Sequence, residues 1–203
     1  MKTAFQRAAA RAAIAASLFL LCCPRSAEAH LVTTGLGPVY DGIGHLVLTL
    51  EDLIPVLALA LLAGLRGPLA GRRTLFILPV AWLAGGVIGT QTGSAPSFPV
   101  AALSFLVLGV FTATDLRLPP KAVTALAVAL GLLHGFLNGV ALREGAGLLG
   151  LLGIAATLFV VTALVAAFVL SLRRPWTRIA VRVAGSWIAA FGILLLGWGL
   201  KGA

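Results

Sequence analysis

Runs of roughly 20 apolar residues recur along this chain, separated by short stretches of Gly, Pro and Arg, and that recurrence restricts the fold more than any other feature. A run of this length crosses ~30 Å of hydrocarbon as a helix. The runs lack the period-2 alternation of membrane barrel strands, so the predicted class is all-α, an integral membrane helical bundle. Composition agrees. Of 203 residues, 60% are hydrophobic and 10% charged, whereas a soluble domain carries a charged fraction near ~25%.

Residues 1–29 read as a secretory signal peptide. Lys2, Arg7 and Arg11 precede an apolar stretch from Ala12 to Leu21, and Ala27, Glu28 and Ala29 form a small-x-small cleavage site. The mature chain, a single transmembrane domain over 30–203, then begins at His30. Cys22 and Cys23 fall in the signal and no cysteine follows, which excludes disulfides and thiolate metal sites from the mature protein. The formal net charge is +9; without Lys2, Arg7, Arg11, Arg25 and Glu28 it is +6, from 11 basic and 5 acidic residues. Those basic residues lie in short loops rather than on one soluble face, so a nucleic-acid partner is not expected.

Six spans are predicted after the signal, at about 44–65, 74–92, 98–115, 121–141, 147–171 and 179–200. With the mature N-terminus outside, the inner loops receive Arg66, Arg72, Arg73, Arg117, Lys121, Arg173, Arg174, Arg178 and Arg182, and the outer side only Arg143 and Lys201. This is the asymmetry of the positive-inside rule, and it agrees with export of the N-terminus by the signal. The expected location is a bacterial inner membrane with a periplasmic N-terminus. Gly131, Gly135 and Gly139, spaced by four, predict close helix packing in lipid.

Two polar patches interrupt the apolar runs: His45, Thr49, Glu51 and Asp52 in the first span, and His134 and Asn138 in the fourth. Ionisable groups at membrane depth are expensive and point to function. On one continuous helix His45, Thr49 and Asp52 form a single stripe, with Glu51 about 100° to the side. Pro55 gives no N–H to the carbonyl of Glu51, leaving a main-chain oxygen free beside two carboxylates. His134 and Asn138 share a face of the fourth span at a matching depth. The two patches therefore predict one shared site. Its imidazole nitrogens, carboxylates, amide and carbonyl are ligand types for divalent first-row metals such as nickel, cobalt, manganese or zinc. The structural alternatives are that Glu51 and Asp52 cap a helix start and that His134 and Asn138 are hydrogen-bonding glue between helices.

With these residues in hand, the chain resembles the HupE/UreJ family of hydrogenase and urease accessory membrane proteins. That family has an early H-P-x-x-G-x-D-H motif and an H-G-x-x-H-G motif in the fourth span. Here the first reads His45, Leu46, Thr49, Glu51 and Asp52, and the second His134, Gly135, Asn138 and Gly139. The family Asp is Glu51, while two family imidazoles are replaced by Asp52 and Asn138, which makes the donor set harder and brings cobalt or manganese into range. The resemblance implies a nickel permease type that serves hydrogenase or urease assembly.

The expected function is thus a non-enzymatic carrier of a divalent transition-metal ion, nickel or cobalt first and manganese next, with no prosthetic group. His45 and Asp52 receive the ion; Glu51, His134 and Asn138 hold it. His30 offers an amine and a ring as a capture group outside. The alternative is a non-transporting membrane scaffold whose polar residues lock helices together. Expected partners are the lipid bilayer, the metal ion and a further copy of the chain.

Overall fold

The computed structural model describes residues 33–92, 94 and 99–201; the predicted signal segment and His30 lie outside the described residues. Seven helices are found among the described residues and no strand. They are α1 (Pro38–Leu48), α2 (Leu50–Arg66), α3 (Pro68–Gln91), α4 (Val100–Ala113), α5 (Pro120–Leu142), α6 (Gly147–Ser171) and α7 (Pro175–Lys201).

Four of these helices open on proline, at Pro38, Pro68, Pro120 and Pro175. The first turn of a helix has no use for the missing N–H, and the ring sets φ in advance. At Gly67, between α2 and α3, φ is +102°. A side chain would meet nothing there within 4 Å, so the backbone angle rather than space requires glycine.

By length and composition, α3, α5, α6 and α7 can each cross a membrane. The first expected span differs from the prediction. In place of one helix over 44–65 there are two, α1 and α2, bent by 74°. The break falls at Thr49, whose backbone is extended (φ −88°, ψ 91°). Its N–H closes the end of α1 on the His45 carbonyl, and its own carbonyl accepts the N–H groups of Asp52 and Leu53 to start α2. The continuous stripe of His45, Thr49 and Asp52 therefore does not exist. The expected third span is also shorter: α4 has 14 residues, about 21 Å at 1.5 Å per residue.

Many large apolar side chains lie on the exterior. Phe76, Val80, Phe168, Trp187, Leu194 and Trp198 are all exposed, a surface suited to lipid rather than water. Within the bundle α2 is the hub, packing against each of the other six described helices, and ten of its residues are buried.

The closest pair is α3 and α5. Gly135 lies against the backbone of Trp82 and Gly139 against that of Gly86, so the predicted glycine spacing of α5 does bring two backbones together. Similar contacts join α4 to α7 through Gly109, Gly185 and Gly192, and α1 to α6 through Gly42 and Gly153.

A methyl group at Gly135 collides with the carbonyl of Trp82, a backbone atom that cannot rotate away. We expect Gly135→Ala to cost about 1–3 kcal/mol by overpacking, read as a lower melting temperature of the purified protein. Gly197→Ala, where nothing lies within 4 Å, should leave the melting temperature unchanged.

Candidate metal centre

The polar side chains of the first and fourth predicted spans meet inside the bundle. Asp52 sits in the first turn of α2, where the positive end of the helix dipole favours a carboxylate. His134 and Asn138 stand one turn apart on α5, so both face the same neighbour. Asp52 Oδ1 lies 2.7 Å from His134 Nδ1. The amide Nδ2 of Asn138 donates to Asp52 Oδ2 at 2.8 Å. All three residues are buried, Asp52 at 5% exposure, His134 at 1% and Asn138 at 4%.

A carboxylate only accepts, so Nδ1 of His134 carries the proton. The other ring nitrogen, Nε2, lies 2.9 Å from Ser104 Oγ on α4. In the neutral ring Nε2 is the acceptor and the serine hydroxyl donates. The indole of Trp82, fully buried on α3, flanks the imidazole with ring centroids 5.6 Å apart. His45, in the last turn of α1, places Nε2 3.9 Å from Asp52 Oδ2, beyond hydrogen-bond range. Its side chain is 14% exposed, more than that of Asp52 or His134.

Two buried polar atoms beside the cluster have no hydrogen-bond partner, Asn138 Oδ1 and Trp82 Nε1. Such orphans are costly in a low-dielectric interior. Asn138 Oδ1 is an acceptor with a free lone pair next to a carboxylate and an imidazole, the kind of oxygen a hard cation takes. Among the described residues, no three His, Cys, Asp or Glu side chains are grouped closely enough to hold a metal ion. Instead the nitrogens and oxygens of Asp52, His134 and Asn138 largely satisfy one another.

Of the residues expected at the site, Asp52, His134 and Asn138 come together and His45 stands beside them. Glu51, expected as a ligand, is instead exposed and takes no part in the cluster's hydrogen bonds. The physical reason is helical periodicity: successive residues of α2 point about 100° apart, so with Asp52 turned inward Glu51 turns away. Both carboxylates fall in the first turn of α2, where the positive end of its dipole favours them. Ser104 and Trp82 escape sequence reasoning. A hydroxyl inside the apolar run of α4 and an indole inside that of α3 were the available signals.

The family profile described as HupE / UreJ protein matches residues 18–195. The chain is similar to Protein HupE of Rhizobium leguminosarum bv. viciae, with 26% identity over 191 residues, covering 90% of this chain and 96% of the relative. No solved structure matches. A match over residues 18–195, most of the 203-residue chain, places it in the HupE/UreJ family.

Proposed function

We propose that this membrane protein is a permease or accessory protein for a divalent transition-metal ion, nickel or cobalt, supplied to the maturation of a metalloenzyme such as hydrogenase or urease. The observation that carries this reading is the buried Asp52–His134–Asn138 cluster with the more exposed His45 beside it. Membership of an accessory family named for such systems supports it.

The chemistry follows from the donors. With Asp52 holding the Nδ1 proton, His134 presents Nε2 as its basic nitrogen, the arrangement by which a carboxylate fixes and strengthens an imidazole ligand. An arriving cation takes Nε2 in exchange for the Ser104 hydroxyl, and Asn138 Oδ1 supplies an oxygen. His45 hands the ion inward. The break at Thr49 adds main-chain oxygens, because the last carbonyls of α1 have no partners within their helix and the negative end of the α1 dipole favours a cation. Discontinuous helices provide cation sites in other transporter folds in the same way. Inward movement is downhill in an inside-negative potential, about 2.3 kcal/mol per charge per 100 mV and so about 4.6 for a divalent ion.

One observation favours the scaffold reading: both carboxylate oxygens of Asp52 and both ring nitrogens of His134 already have partners. Metal accumulation in cells separates the two. Asp52→Ala and His134→Gln should each lower nickel or cobalt uptake at least tenfold while the protein is still made and inserted, and Ser104→Ala should keep most of it. Uptake unchanged in both site variants, with only the melting temperature falling, would make the cluster a helix lock.

The donor set also sets a preference. Restoring an imidazole with Asn138→His should shift competition between nickel and manganese toward nickel, since nickel gains more from nitrogen ligands. Equilibrium binding of the two ions to the purified variant checks this.

A further inference from the structure

Fourteen residues along α2 from Asp52, about 21 Å at 1.5 Å per residue, the hub helix ends in a second polar site that plays no part in the metal reading. A pocket of about 540 Å³ opens there, lined by Leu65, Arg66, Asp115, Arg117, Leu118 and Arg178. Three guanidiniums face one carboxylate, a balance of +2.

The carboxylate organises two of the three. Asp115 Oδ1 pairs with Arg66 Nη2, and Asp115 Oδ2 accepts from Arg178 Nη2 at 3.0 Å. Asp115 itself is held in the left-handed region, φ 51°, which few residue types other than glycine, Asn and Asp enter readily. It thus ties the ends of α2 and α4 to the start of α7 and sets the two forks at one place. What remains is unspent donor capacity. The Arg66 side chain is only 8% exposed, yet its Nε is buried with no hydrogen-bond partner. The Arg117 guanidinium pairs with none of the described residues.

A guanidinium left unpaired beside two that share one carboxylate calls for a further anion. Planar forks of N–H donors match the oxygens of phosphate two at a time. A phosphate group supplies about 1.5 to 2 negative charges as a monoester, close to the surplus of the pocket. We propose that the Arg66–Arg117–Arg178 pocket binds a phosphate group. Two sources share this chemistry, the headgroup of an anionic phospholipid and free phosphate. The pocket lies where the loops richest in arginine gather, the position of basic headgroup sites between membrane helices.

The test uses the purified full chain, delipidated in detergent, and does not read metal uptake. One arm titrates inorganic phosphate by calorimetry; the other measures retention of phosphatidylglycerol against phosphatidylcholine by native mass spectrometry. Each arm is repeated with Arg117→Gln, which removes a side chain with no structural partner, and with Arg143→Gln, an exposed arginine outside the pocket. In at least one arm the wild type should bind and be stabilised against heat, Arg117→Gln should weaken binding at least tenfold with an unchanged melting temperature when ligand-free, and Arg143→Gln should behave as wild type. Phosphate binding alone identifies a free anion as the source; selective retention of phosphatidylglycerol identifies the lipid. If neither ligand raises the wild-type melting temperature, or if Arg117→Gln binds as tightly as wild type, the pocket holds no phosphate and the proposal fails.

Discussion

A single buried carboxylate governs how this bundle is put together. Asp52 lies at 5% exposure among apolar helices, where an unpaired charge would cost several kcal/mol. Three things make its position tolerable: the His134 ring on one oxygen, the Asn138 amide on the other and the positive end of α2 beneath it. Each requires a particular piece of backbone. The dipole needs α2 to begin at Leu50 rather than continue α1, and the two side chains need α5 to run past that point with one face turned toward it.

Glycine makes that approach achievable. Gly135 lies between His134 and Asn138 in sequence and rests on the Trp82 backbone, while Gly139 rests on Gly86. With α3 drawn this close, the Trp82 indole closes over the imidazole. The site and the helix contact are therefore one construction, with alternating residues of α5 serving packing and chemistry. The same hub helix carries Asp52 near its start and Arg66 at its end. A tilt of α2 would be felt at both.

Much of this is legible in the residues alone. The apolar runs announce helices because, without the alternation of barrel strands, only helices satisfy their backbone groups in lipid, and the polar groups of two distant segments meet in one hydrogen-bonded cluster. Asp52, His134 and Asn138 could be paired from the sequence. The break at Thr49 could not. Threonine is an ordinary residue in an apolar run, and the placement of α1 is tied to its docking on α6 through Gly42 and Gly153, a contact between parts of the chain far apart in sequence. Ser104 and Trp82 are invisible for a related reason. Each becomes a site residue only when its helix is placed beside α5. The shortness of α4 and the gathering of three arginines round Asp115 likewise depend on tertiary arrangement rather than local pattern.

The most direct test of the account is a double-mutant cycle on Asp52 and His134, with Asp52→Asn, His134→Gln and the double variant compared in unfolding free energy. A charge-assisted bond between buried partners predicts a coupling above about 1 kcal/mol. Effects that add to within about 0.3 kcal/mol would mean that the two side chains do not meet, and the shared site would be contradicted.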